Sequence, residues 1–212
     1  QAVKLDDGRA AEIMATLDQV KGDRGRWAMA IIAGQMSCSS SFGMAEEGIR
    51  ASAAALVPLR TDLRDREARG DALYGAWLCG IVLGAITMGL HHKLCHTLGG
   101  SFGLPHAEVH AVILPHALAY NAIAAADAMG RIGRALGIKG LGDPLAVARA
   151  LQDLARHYGA PTSLAAIGMP ADGLEHAADL AVQNQYPNPR ALERAALRAL
   201  LQRAFDGAHP ET

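Results

Sequence analysis

Six of the nine histidines crowd into one short segment, at His91, His92, His96, His106, His110 and His116. The string reads GLHHKLCHTLGGSFGLPHAEVHAVILPHALAYN. Imidazole is the commonest metal ligand and the usual proton carrier near neutral pH. His92 and His96 stand four residues apart, and so do His106 and His110. On a helix that spacing puts both rings on one face. A glycine-rich stretch between the pairs lets two adjacent helices bring them together. Two such pairs make a workable cage for a divalent cation, with zinc or iron as the expected ion and manganese as an alternative. A metal with an open position polarises a carbonyl or activates a water. Glu108 sits inside the second pair, as a candidate base or as a hydrogen-bond partner to a ligand. His91 is expected to point about 100° away from His92, in a structural or surface role. His116, after Pro115, is expected to bond backbone carbonyls.

The elements that must position these rings read as helices. Half of the 212 residues are hydrophobic, yet only 4% are aromatic, and alanine and leucine dominate. Those are strong helix formers, and few stretches carry the β-branched character of strands. The spacing predicts an amphipathic helix over 9–21 and an apolar segment over 27–36, helical or extended. It predicts a small-residue loop from Cys38 to Gly43 and a helix from Met44 to about Leu59, ended near Pro58. A long apolar helix should start at Asp71 and run to about Thr97, stopped by Gly99 and Gly100. Pro105 opens the next, interrupted at Pro115 and continuing toward Ala125. Further helices are expected at 126–136, 144–158, 173–184 and 189–206, with starts at Asp143-Pro144 and Asn188-Pro189. Gly159, Gly168 and Gly207 mark stops. The fold class is therefore all-α, a helical bundle with short links.

Composition excludes several partners. Net charge is −1 and no long basic run occurs, which argues against nucleic acid. Leu73 to Leu90 is uncharged, the lower edge of a membrane-spanning length. Its glycines and the absence of a basic flank make it a buried core helix instead. Three cysteines, Cys38, Cys79 and Cys95, fit no disulfide framework and imply reduced thiols and a cytoplasmic setting. The expected partners are a small-molecule substrate and a second copy of the chain.

The stretch from about Met44 to Gly207 resembles the C-terminal helical domain of maleylacetate reductases, in the iron-containing alcohol dehydrogenase superfamily. MAEEGIRA, DALYGAWLCG, the histidine-rich string and NPRALERAALRALLQRAF carry the likeness. Its specific mark is H-x3-H-x9-H followed by LPH. The resemblance implies that the outer histidines of that pattern, His92 and His106, bind metal, and that His96 lines the active site. His110, one turn from His106, is the expected recruit to the ligand set. The superfamily takes two further ligands from a D-x3-H motif just before MAEEGIRA. The residues there, GQMSCSSSFG, offer neither Asp nor His.

This organisation sets residues 1–43 apart as a divergent N-terminal segment, with 44–212 as the dehydrogenase-like helical domain. No strand followed by a glycine-rich phosphate loop opens the chain, so no NAD(P) site is recognisable in it. From a dense imidazole site without a redox cofactor site, the leading expectation is a metal-dependent hydrolase of activated esters or phosphoesters. The alternatives are an NAD(P)H-dependent oxidoreductase of the maleylacetate reductase type, and a non-catalytic helical dimerisation module.

Overall fold

The computed structural model describes residues 39–212 except 86–87 and 184–185, with side chains described from Gly43 onward. Among these described residues eight α-helices follow in order: α1 Ser39–Thr61, α2 Arg66–Ala85, α3 Leu90–Phe102, α4 His106–Asn121, α5 Ala126–Ala135, α6 Ala146–His157, α7 Gly173–Val182 and α8 Arg194–Asp206. A 3-10 turn, Ala165–Ile167, precedes α7. Among the described residues there is no strand, so the all-α class holds. The helix expected over 9–21 and the apolar segment over 27–36, helical or extended, lie outside the described residues, as does most of the 1–43 segment.

α1 and α2 pair closely because glycine lets their backbones meet. A methyl group on Gly75 would lie 2.8 Å from the Ser52 amide nitrogen and 2.9 Å from the Gly48 carbonyl oxygen. Asp65 Oδ1 accepts from the amides of Glu67 and Ala68 at 3.0 Å and so starts α2. That start precedes the expected cap at Asp71. Residues 39–43 are already helical, although a loop was expected there, and Pro58 lies within α1 rather than ending it. The long apolar helix expected from Asp71 to Thr97 is in fact two, with α2 ending at Ala85 and α3 beginning at Leu90.

α3 runs through Gly99 and Gly100 and stops at Gly103, whose φ of 65° closes a bond from its amide to the Gly99 carbonyl. A stop needs a positive φ, and the first two glycines keep helical angles instead. Pro105 then caps α4, which continues unbroken through Pro115. A proline inside a helix costs a backbone bond. Here burial on every side outweighs that loss, since α4 is buried from Val109 to Asn121.

α4 is the spine of the molecule. Val109, Val112, Ile113 and Ala117 belong to a core shared with α3, α7 and α8, built on Leu94, Leu98, Leu174, Leu197 and Leu201. Leu114, Leu118 and Ala119 belong to a second core with Ile49, Met129, Ile132, Val147 and Leu151. After α4 the chain returns over its end. Asn121 and Asn188 exchange side-chain amide bonds of 3.1 and 2.8 Å, and Asn188 Nδ2 also donates to the Arg190 carbonyl at 2.7 Å. The Arg190 guanidinium lies 4.2 Å over the Tyr120 ring. Asn188 therefore pins a loop, and the last helix begins at Arg194 rather than at the expected Pro189. The stops at Gly159, Gly168 and Gly207 fall as expected, all at positive φ.

No single helix among the described residues is long and apolar enough to cross a membrane.

Candidate metal centre

α3 and α4 are joined by the tight Gly103–Pro105 link and pack together. Antiparallel pairing sets the end of one helix against the start of the other. His96 accordingly meets His106, with stacked rings 5.9 Å apart, while His91 and His92 lie further along against His110. Five imidazoles thus converge, and the sequence pairs meet as their spacing implied.

His110 is the hub of the group. Its ring centre is 4.4 Å from that of His106, 4.7 Å from His91 and 4.8 Å from His92. It is 1% exposed, and neither of its ring nitrogens has a hydrogen-bond partner. His91 is buried as well, and its Nε2 lies 3.1 Å from the His110 carbonyl oxygen. A carbonyl only accepts, so Nε2 carries the hydrogen and Nδ1 keeps the lone pair. Ligand nitrogens of His91, His92 and His110 all lie within 4.8 Å of one another. His92 is half-buried, whereas His96 and His106 are exposed at the outer end of the group.

Sequence reasoning placed His91 aside. Successive helix residues do diverge by about 100°, but α4 crosses α3 between those two directions. A ring on either side of the contact line reaches His110. The His91-His92 doublet was the available signal. His116 lies apart from the group, 1% exposed, with its Nε2 unpartnered. Among the described residues no hydrogen bond or ion pair links Glu108, on the first turn of α4, to any imidazole. Cys95, next to His96 in sequence, is fully buried among the leucines of the first core.

Burial keeps the inner rings neutral. It pushes His110 down to about 2, with the nearby His91, His92, His106 and His96 lowering it further. It takes His91 to about 3, against the opposing effect of the bond to the His110 carbonyl. His92 is lowered by burial first and then by His96 and His106. Neutral imidazoles offer their lone pairs without first releasing a proton. Two buried, orphaned nitrogens beside neutral rings are the donor set that a borderline divalent ion takes. The residues present therefore fit a metal.

Comparison with known proteins gives this geometry a lineage. Residues 35–205 match the model of the Fe-containing alcohol dehydrogenase family, C-terminal. A maleylacetate reductase of Burkholderia cepacia is 64% identical over 167 residues, covering 79% of this chain and 46% of that protein. The crystal structure of maleylacetate reductase from Agrobacterium tumefaciens superposes with a TM-score of 0.79 at 48% identity, covering 87% of this chain and 51% of that one. The corresponding enzyme of Rhizobium sp. strain MTP-10005 gives 0.80 at 46% identity, covering 90% and 54%. The chain spans about half the length of the relatives it matches.

These matches overturn the hydrolase expectation, because the similar proteins are reductases. That expectation leaned on a phosphate loop missing from this chain. In a chain that spans half of its relatives, a missing motif is no guide to the reaction of the whole. The family's description as Fe-containing makes a divalent metal part of its chemistry, in agreement with the imidazole group. The chain belongs to the Fe-containing alcohol dehydrogenase family and carries the fold of its C-terminal domain.

Proposed function

We propose that the chain forms the metal-holding and substrate-facing half of an oxidoreductase of the maleylacetate reductase type. The observation that carries this reading is the five-imidazole group on α3 and α4, inside a stretch 64% identical to a maleylacetate reductase. A divalent ion held there by imidazoles from among His92, His96, His106 and His110 supplies Lewis-acid polarisation of a substrate carbonyl. The chain's own residues do the rest. The buried ends of α3 and α4 fix the ring orientations and exclude water from the inner nitrogens. His96 and His106, exposed at the outer end, are placed to touch a small keto acid. Glu108 stands two residues from both His106 and His110, about 200° round α4 from each, so it is given no proton-transfer role in this reading.

Hydride comes from a nicotinamide cofactor in this reading. The cofactor-binding portion is supplied outside the described residues. A second copy of the chain remains the proposed partner, and the reduced thiols favour a cytoplasmic setting. The buried thiols of Cys79 and Cys95 are free.

The test is oxidation of NADH or NADPH, followed by absorbance, with maleylacetate and a divalent metal present. It is run on the chain alone and on the chain supplied with a relative's cofactor-binding portion. Turnover in the second case that falls at least 100-fold in His92→Ala supports the reading. Equal turnover in His92→Ala, or none in either preparation, removes it.

A further inference from the structure

The imidazole group leaves one apolar surface of the molecule without a role. α2 packs closely on α1 and on no other described helix. Away from α1 it presents Tyr74, Trp77 and Ile81, which are 44%, 59% and 39% exposed. They recur at helical spacing and so form one stripe. Beside it, a methyl group on Gly80 or Gly84 would meet nothing within 4 Å among the described residues. Large apolar side chains grouped in this way mark an interaction surface. We propose that residues 27–36 of this same chain dock on that stripe. The proposal does not depend on the reductase reading.

Three observations select this occupant. First, the chain delivers it to the right place. Gly48 of α1 abuts Leu78 and Cys79, while Ser52 abuts Gly75, so the two helices are antiparallel. Ser39, which opens α1, therefore stands at the Ala85 end of α2, where the stripe ends. Residues 1–38 lie outside the described residues and join the fold at that point. Residues 37–38 form a link long enough to reverse the chain's direction.

Second, composition and length match. Residues 27–36, WAMAIIAGQM, carry no charge. Such a segment spans between about 15 Å as a helix and about 33 Å fully extended. The face of α2 from Tyr74 to Ala85 is about 16 Å long. Third, the charges agree at the far end. Read back from Ser39, the apolar residues give way to Arg26 and Arg24, with Asp23 beside them. Read back from Ala85, the stripe gives way to the exposed carboxylates of Asp71 and Glu67. The nearby Arg69 is turned to the Leu63 carbonyl instead. With apolar residues laid on apolar residues, two arginines come near two acids, and that complementarity fixes direction and register.

Tryptophan supplies the probe, because the chain's two tryptophans are Trp27 in the segment and Trp77 in the stripe. In the full chain carrying Trp27→Phe, Trp77 fluorescence should resist acrylamide. Adding Ile31→Asp should speed quenching at least twofold. Equal quenching in the two proteins overturns the proposal. So does protection of Trp77 that survives Ile31→Asp but is lost on dilution of a dimer seen by light scattering, since a second copy then covers the stripe. Circular dichroism checks that the helices persist. If Ile31→Asp does not fold, cross-linking decides. A carbodiimide should join the amine introduced by Arg26→Lys to Glu67 or Asp71, at a yield unchanged by tenfold dilution. A yield that falls with dilution, or no such link, overturns the docking.

Discussion

At the scale of single residues, the imidazoles divide by burial more than by spacing. His116 shows the cost of a buried ring outside the metal group. Burial first, then the positive Arg203 and Arg156, lowers it to about 4. Its folded-state value lies below that of the unfolded chain, so the unfolded state takes up the proton first. Stability is therefore intact above about pH 6.5 and falls as pH drops toward 4. From pH 7 to pH 5 this one group should cost about 2 kcal/mol. Urea unfolding of wild type and His116→Gln at both pH values checks it. The variant's loss on acidification should be smaller by about that amount, and an equal loss in both proteins refutes the assignment. Spacing alone made the i,i+4 pairs legible and correctly brought His92, His96, His106 and His110 together. It left His91 out because a helical wheel describes one helix, whereas the direction that matters is set by where a second helix crosses it. The bond from His91 to the His110 carbonyl joins residues on different helices, and no local pattern encodes it.

At the scale of elements, the helices from Met44 onward were readable, apart from the break between α2 and α3, because alanine, leucine and terminal glycines mark them. The errors share one cause. A glycine or proline was read as a boundary wherever it stood, yet Pro115, Gly99 and Gly100 all lie inside helices. Burial of α4 overrides local preference at Pro115, whereas Gly99 and Gly100 keep helical angles until Gly103 supplies the positive φ that ends α3. The opposite error made one helix of α2 and α3, since their junction lacks charge. Gly75 tests the packing argument directly. Gly75→Ala should gain about 1 kcal/mol of helix propensity but force α1 and α2 apart, at a cost of about 1–3 kcal/mol. Gly80→Ala, where nothing lies within 4 Å, should show the gain without the cost. Thermal melting of both variants separates the effects, and a stabilised Gly75→Ala would refute the close crossing. Asn188→Ala, which strips the reciprocal amide pair, should destabilise by about 1–3 kcal/mol. A variant within 0.3 kcal/mol of wild type, about the scatter of a neutral surface change, would show that the loop is held by other contacts.

At the scale of the whole molecule, metal binding and folding are coupled, because the ligands come together only when α3 meets α4. Zinc at 100 times its dissociation constant should stabilise the chain by about 2.7 kcal/mol. A chelator should remove that gain in a thermal melt. Failure of zinc to raise the melting temperature would mean that the unfolded chain's nine histidines bind it as well. The family and fold were legible from the histidine string and its flanking helices. The reaction was not, because a fold does not by itself specify a function.

α4 contributes to both hydrophobic cores and presents His110 from its first turns. The paired α1 and α2 join the rest through α1, by Ile49 in the second core and the Glu46–Arg131 ion pair. The protein therefore has a hierarchy of opening. In deuterated buffer, amides of α1 and α2 should exchange first, through excursions that leave the ligand rings in place. Those of α4 should exchange last, and only when both cores dissolve together. A cation clamped on His110 would slow the second class and leave the first untouched, so the ion acts as a lock on the innermost helix alone.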